Sequence, residues 1–199
     1  MDYRYEWVRA DKAEEAFEIR RRVYTEEFGF DLGGGGPRDE FDEHAYHLVA
    51  RTSSGEAVAS LRLVDEREGA FEIERFLDLE GIVQPTWHPA EITRLCILAP
   101  FRRITQRSFI HLALLEAVLV LTNRLGVTHI IASTREDLMP VYRYLLFDAY
   151  PEVTYTHPEI GNALHTLMVL DLGAFPERCR RQRPTLYPAV EAMIGSAKV

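Results

Sequence analysis

The sequence is poor in the features that mark several protein classes. Two cysteines, Cys96 in an apolar run and Cys179 in a basic one, match neither a disulfide framework nor a metal-ligand spacing. No apolar run approaches the roughly 20 residues that span a bilayer. Charged residues also interrupt the N-terminal stretch in which a signal peptide would lie. We therefore expect a soluble, cytoplasmic protein with no membrane span and no metal site.

Lysine is scarce as well, because the 23 basic residues are 21 arginines and two lysines. The net charge of −8 argues against a nucleic-acid partner, since counterion release requires a basic face. Residues 1–100 carry 12 basic and 22 acidic side chains, a net −10, whereas residues 101–199 carry 11 and 9, a net +2. The planar guanidinium group of arginine favours bidentate pairing with carboxylate or phosphate.

The order of the predicted elements indicates an α/β fold in a single domain, residues 1–199, whose length and 47% hydrophobic content allow one sizeable core. The predicted elements are a strand (3–9), a helix with Asp11 as N-cap (11–28), a hairpin (45–51 and 57–64), an antiparallel strand in "AEITRLCIL", a long helix (102–126), a strand (127–133), a shorter helix (137–147) and two strands (near 153 and 165–172). This order predicts a mixed, mainly antiparallel central sheet flanked by helices, which resembles the GNAT acyltransferase fold.

Charged and aromatic residues follow one another in a recognisable order along the first half of the chain. They are Arg20 and Tyr24 on the first helix, Asp39 and Asp42 in "DEFD", Arg62 in "SLRL", Phe76, and Glu91 and Arg94 in "EITR". This series resembles the acyl-homoserine lactone (autoinducer) synthases, a GNAT-fold branch that makes quorum-sensing signals, and the related long-chain N-acyl amino acid synthases. Phe30 stands where the lactone synthases usually have tryptophan, and Tyr24 where they usually have phenylalanine.

The resemblance implies an N-acyltransferase with no tightly bound cofactor. Its donor would be an acyl group on acyl carrier protein or on coenzyme A, and its acceptor the amine of S-adenosylmethionine or of an amino acid. The substrate-binding residues that the resemblance implies are Arg20, Tyr24, Phe30, Asp39, Asp42, Arg62, Phe76, Thr93 and Arg94. The acidic run that contains Asp39 and Asp42 has three interpretations: a solvated turn, a purely structural network, or a network with Arg20, Arg62 and Arg94 that surrounds a cationic acceptor.

The chemistry requires a base for the acceptor amine and a donor for the thioester oxyanion. We predict Glu91 as the base, and the GNAT resemblance implies a backbone N–H near Ile97 as the oxyanion donor. Strict strand alternation places Glu91 and Arg94 on opposite faces unless a bulge intervenes. For the acyl chain, Phe76, Leu115 and Leu119 are candidates, although such residues more often belong to the core.

The segment "FRRITQRSF" occupies the place where acetyl-CoA-dependent GNAT proteins have a glycine-rich loop that holds pyrophosphate at a helix N-terminus. Because it contains no glycine and is basic, we predict that Arg102, Arg103 and Arg107 contact an acidic acyl carrier protein. A basic helix start without special purpose is the alternative interpretation. Two other functions also remain open: a GNAT acetyltransferase that uses acetyl-CoA, and a non-catalytic acyl-sensing module.

Overall fold

The computed structural model describes residues 3–30, 32, 36–102 and 110–196. Its strands are β1 (Tyr3–Val8), β2 (Tyr46–Thr52), β3 (Ala57–Asp65), β4 (Pro89–Ile97), β5 (His129–Arg135), β6 (Asp148–His157) and β7 (Ala163–Asp171). Its α-helices are α1 (Glu14–Arg21), α2 (Ile110–Leu125), α3 (Met139–Tyr144), α4 (Phe175–Gln182) and α5 (Tyr187–Ser196). None of the helices within the described ranges combines the length and the apolar character needed to cross a membrane.

The seven strands form one sheet in the order β1-β2-β3-β4-β5-β7-β6. Every neighbouring pair is antiparallel except β4 and β5. Successive strand residues point to opposite faces, so Leu48 of β2 joins the core cluster that contains α2 and α5, while Val49 packs with α1. The predicted mixed, mainly antiparallel sheet with helices on its faces is confirmed.

The parallel pair of β4 and β5 creates the opening in the sheet. The two strands pair at only three positions, the last of which joins Glu91 to Ile131. Beyond these residues β4 continues to Ile97 and β5 to Arg135 without further pairing between them. The strands therefore diverge toward their C-terminal ends and leave a gap between two backbone edges.

On its other edge, β4 pairs with β3 through a bulge. Between the pairs Arg62↔Thr93 and Ser60↔Cys96, β4 has one residue more than β3. Within this bulge Arg94 adopts a φ of 54°, which is uncommon for a residue with a side chain. Strict alternation along β4 is thus broken immediately after Thr93.

Two helical predictions need correction. Asp11 is not an N-cap, because it lies inside a short 3₁₀ turn, Ala10–Lys12, and α1 begins after Ala13 without a side-chain cap. The first helix also changes its winding, since a π-helical turn, Arg22–Glu27, follows α1 directly. The basic run that contains Cys179 forms α4, and Phe175 of this helix packs in the main core cluster.

Candidate active site

Five charged side chains from four segments form a largely buried network at β4. Arg20 donates from Nη1 to both carboxylate oxygens of Asp42 at 3.0 Å, and Arg62 donates to Asp42 at 3.0 Å and also to Asp39. Arg94 donates to Asp39 at 2.8 Å. Arg20, Arg62 and Asp42 are at most 2% exposed. The predicted pairing is confirmed, and the interpretation of the acidic run as a solvated turn is wrong.

The two aspartates owe their arrangement to a short 3₁₀ turn, Glu40–Asp42. The backbone N–H of Asp39 donates to the Asp42 carboxylate at 2.8 Å, and the Phe41 N–H donates to the Asp39 carboxylate at 3.0 Å. This reciprocal cap explains their three-residue spacing. Burial alone would raise the pKa of Asp42, but the charges of Arg20 and Arg62 outweigh it and hold that pKa below its usual range.

Glu72, which none of the sequence motifs includes, lies at the centre of this network. Its carboxylate accepts hydrogen bonds from Arg62 at 2.5 Å and from Arg94, and it lies 3.3 Å from Nε2 of His157. Burial opposes ionisation of Glu72, but Arg94, the His157 hydrogen bond and Arg62 together hold its pKa well below the usual range. Only contacts in three dimensions identify this residue, because its partners lie 10, 22 and 85 residues away along the chain.

Glu91 holds the backbone of Glu72 in place through hydrogen bonds. Its two carboxylate oxygens accept the backbone N–H groups of Glu72 at 2.7 Å and of Ile73 at 2.9 Å, at the start of the 3₁₀ turn Glu72–Arg75. The bulge at Arg94 is the exception to strict alternation that the sequence-based prediction allowed for, and Glu91 and Arg94 both contact Glu72. Burial and then the charge of Glu72 raise the pKa of Glu91 to about 7. Its assignment as the catalytic base stays a prediction.

A cavity of about 450 Å³ opens in the gap between β4 and β5. Of the sequence-predicted residues, its wall contains Tyr24, Phe30, Thr93, Arg94, Ile97 and Arg102. The predicted residues that do not line this cavity are Arg20, Asp39, Asp42, Arg62, Phe76 and Glu91. The wall also contains residues that the sequence motifs missed: Glu72, Ser133, Arg135, Tyr142, Tyr155, His157 and His165. The structure thus separates a set of residues that faces the cavity from a set that supports it.

A second, apolar cavity of about 40 Å³ adjoins the first. Leu95, His111, Val141 and Tyr142 line both cavities. Leu115, a predicted acyl-pocket residue, lines the second one. The other two candidates for that pocket line neither cavity, because Leu119 belongs to the main core and Phe76 stacks on Tyr155 with 4.7 Å between ring centroids.

The backbone of Ile97 reaches the edge of the gap. The Leu98 N–H donates to Val58 of β3 at 3.0 Å, and neighbouring residues of a strand direct their N–H groups to opposite edges. The N–H and C=O of Ile97 therefore face the gap, where the carbonyl accepts a hydrogen bond from Nε of Arg102 at 2.6 Å. This position suits an oxyanion donor, a role that stays a prediction.

Three potential metal ligands meet near the network. Glu72, His157 and Glu159 each offer one ligand atom, and these atoms lie within 4.8 Å of one another. Arg94, however, contacts both carboxylates, at 3.3 Å for Glu159. Because a guanidinium already occupies the space between the two carboxylates, the donor set does not suit an added cation.

Comparisons with known proteins agree with this architecture. A family model described as "Acetyltransferase (GNAT) domain" matches residues 19–111. The structure of FeeM, an N-acyl amino acid synthase from uncultured soil microbes, is similar with a TM-score of 0.72 and 12% identity, over 88% of this chain and 93% of that one. The AHL synthase LasI has a TM-score of 0.65 and 15% identity, over 85% of this chain and 91% of that one.

This chain has the GNAT fold. BjaI, a CoA-dependent acyl-homoserine lactone synthase solved with SAM and isopentyl-CoA, shares this GNAT fold with a TM-score of 0.65 and 17% identity, over 98% of this chain and 90% of that one. No curated protein matches the sequence. The resemblance to lactone and N-acyl amino acid synthases that the motifs predict is therefore confirmed in the fold.

Arginines flank the open end of the gap in this GNAT fold. Arg102 pairs with Glu27, and its guanidinium carbon lies 4.7 Å from the centroid of the Phe28 ring. Arg135, at the end of β5, lies 5.6 Å from the same ring centroid and pairs with Asp137. The other two predicted carrier-protein contacts, Arg103 and Arg107, lie outside the described residues.

Proposed function

We propose that the protein is an N-acyltransferase of the autoinducer-synthase type. It transfers a fatty acyl group from a thioester donor to the amine of an amino-acid-derived acceptor. The observation that carries this proposal is the cavity at the β4–β5 gap, which has charged side chains in one wall and shares Leu95 and Tyr142 with a small apolar pocket. A fatty acyl group and a charged amine require these two environments side by side.

The open edges of β4 and β5 suit the donor. A thioester with amide groups in its pantetheine arm can bond to strand backbone that has no neighbouring strand. The Ile97 N–H is available at this edge to stabilise the developing oxyanion, and the apolar pocket lies beyond Leu95. The donor is acyl carrier protein or acyl-CoA, and we place the carrier protein at the surface that includes Arg102.

The cavity wall also suits a zwitterionic acceptor. Glu72 offers a carboxylate for an ammonium group, and Arg94 offers a guanidinium for a carboxylate. Nε of Arg94 is buried and has no hydrogen-bond partner among the described residues, which leaves a donor for a ligand to satisfy. Both S-adenosylmethionine and a free amino acid carry these two charges, and Asp39, Asp42, Arg20 and Arg62 hold Arg94 and Glu72 in place.

An acetyltransferase that uses acetyl-CoA is the second candidate, which the description of the matching family model favours. An acetyl group has only one methyl carbon, so it gains nothing from an apolar pocket beyond Leu95. We therefore rank the longer acyl donor first. A non-catalytic acyl-sensing module would bind thioesters and yield no product.

Product analysis with the purified protein tests the proposal. Acetyl, hexanoyl and dodecanoyl thioesters would be supplied on coenzyme A and on acyl carrier protein, each with S-adenosylmethionine or with a mixture of amino acids. Mass spectrometry reports the acyl group and the amine together. We expect N-acyl products from the longer thioesters. A preference for acetyl-CoA would select the second candidate, and thioester binding without any product would select the sensing module.

A further inference from the structure

His157 is the last residue of β6 and lies in the cavity wall, only 3% exposed. Its Nε2 lies 3.3 Å from a carboxylate oxygen of Glu72. Its Nδ1 is buried and has no hydrogen-bond partner among the residues that the structure describes. Sequence motifs did not mark this histidine, which is 85 residues away from Glu72.

This geometry sets the tautomer of the ring. An ionised carboxylate can only accept hydrogen bonds, so Nε2 of His157 carries the N–H that donates to Glu72. The lone pair of the neutral ring then lies on Nδ1. Arg62 and Arg94 keep Glu72 ionised, and Glu91 holds its backbone. The result is a carboxylate–histidine pair of the kind that orients a general base.

Two other titratable groups of the wall, Tyr155 and His165, are less suited to take a proton, as is Glu91, which does not line the cavity. The Tyr155 hydroxyl is hydrogen-bonded to Ser133 at 2.6 Å, and burial raises its pKa. His165 has its Nδ1 3.0 Å from a backbone carbonyl, and burial lowers its pKa. Glu91 uses both oxygens on backbone N–H groups.

We propose that His157 is the proton acceptor of the reaction, an inference that rests on the proposed acyl transfer. The acceptor enters this step as its free amine, after its ammonium proton has passed to solvent. As the amine nitrogen forms its bond to the thioester carbon, one N–H proton passes to Nδ1 of His157. The C–S bond then breaks, the sulfur leaves with the electron pair, and the imidazolium returns the proton to the thiolate. Glu72 stabilises the transient imidazolium, and Glu91 acts as a positioning residue for Glu72.

The kinetic test uses His157→Gln, because the glutamine amide can still donate to Glu72 but cannot accept the proton. We expect kcat to fall roughly 10²-fold or more, the scale of losing a positioned base, with little change in KM. The matched control is His129→Gln, since His129 stacks on Trp87 outside the cavity, and its kinetics should stay near wild type. Unchanged kcat in a folded His157→Gln variant would overturn the proposal.

The rates at high pH separate His157 from Glu91. His157→Gln should regain part of its rate at high pH, where the acceptor is present as free amine, because the lost step is removal of the amine proton. Glu91→Gln should not be rescued in this way, because Glu91 acts only through the backbone N–H groups of Glu72 and Ile73. The opposite pattern would assign the base to Glu91.

A measurement that needs no turnover tests the histidine pair itself. Nitrogen-15 NMR of the histidine side chains, with His157→Asn for assignment, reports which ring nitrogen carries the proton. We expect the Nε2–H tautomer in wild type and a loss of that preference in Glu72→Gln. The Nδ1–H tautomer would overturn the proposal. Absence of acyl transfer by wild type would instead count against the proposed function, and the tautomer would still be measured.

Discussion

The two edges of β4 contrast sharply. The edge toward β3 is paired along most of its length, and the buried arginine–carboxylate network lies beside it. The edge toward β5 is paired at three positions and then opens into the cavity. Arg94, in the bulge, belongs to both sides, because it contacts the network and lines the cavity. The comparison shows one strand that is paired along one edge and leaves its other edge unpaired beyond Glu91.

The network is costly to build, which suggests that it positions groups and does not maximise stability. Burying charged groups costs desolvation energy that pairing only offsets, while removing one partner leaves an uncompensated buried charge. Arginine suits such a network because one guanidinium serves several carboxylates, as Arg62 does for Asp39, Asp42 and Glu72.

The strongest disruption of the paired edge is Arg62→Ala. It leaves two buried carboxylates, Asp42 and Glu72, and the half-buried Asp39 without their shared partner. We therefore expect a loss of about 3–5 kcal/mol in the free energy of unfolding and a loss of activity. Chemical denaturation measures the first and product formation the second. Arg51→Ala is the control, because Arg51 pairs with the exposed Glu15 and should cost about 0–1 kcal/mol. Similar losses in the two variants would contradict the contrast between buried and exposed pairs.

Glu91→Gln tests the contribution of Glu91 to the free energy of unfolding, measured as a function of pH. The raised pKa of Glu91, about 7 against 4.5 for the free side chain, means that the folded protein binds more protons than the unfolded chain between these values. Its contribution to the free energy of unfolding therefore falls as pH rises through this window. We expect the stability of wild type relative to Glu91→Gln to decline from pH 4.5 to 7 and then to level off. A pH-independent difference in melting temperature would show that Glu91 is not buried as described.

On the open edge, Leu95 lines both cavities, so Leu95→Trp should reduce the space where they meet. We expect kcat/KM for a dodecanoyl donor to fall about tenfold relative to a hexanoyl donor, which corresponds to about 1.4 kcal/mol. The loss of stability should be smaller than for Arg62→Ala, because the new ring fills space and leaves no charge unpaired. Equal effects on both donors would mean that the acyl chain does not pass Leu95.

The smallest expected effect is at the open end of the gap between β4 and β5. There, Arg102→Glu tests whether the acyl donor is carried by acyl carrier protein or by coenzyme A. Charge reversal should raise the apparent KM for an acyl carrier protein several-fold and that for acyl-CoA less, because it repels an acidic partner surface. Arg178→Glu serves as the control, since Arg178 pairs with Asp148 at 2.6 Å on the surface away from the cavity. Side-by-side kinetics with both donors measure the difference. A larger effect on acyl-CoA would instead favour coenzyme A as the natural donor.

Residue chemistry made much of the fold and part of the site predictable. Strand alternation and the three-residue spacing of Asp39 and Asp42 are local properties, so the mixed sheet and the acidic partners of Arg20 and Arg62 could be inferred. The prediction of Asp11 as an N-cap was wrong, because Asp11 lies within a 3₁₀ turn that precedes α1. The sequence pattern predicts neither of the two C-terminal helices. For α4 the reason is that this short, highly charged helix buries only Phe175 and Cys179 and so has little apolar periodicity.

The sequence by itself determined the classes of partner in the buried network, because guanidinium and carboxylate groups must pair when they are buried. It also determined the mixed, mainly antiparallel sheet, because the patterns of strands and helices are local. Only the tertiary structure decided which residues face the ligand. The bulge at Arg94 and the early end of the β4–β5 pairing depend on contacts between distant strands, as do the meetings of Glu72 with Glu91 and with His157. Such contacts leave no periodic pattern along the chain, since loop closure joins residues without regard to their spacing.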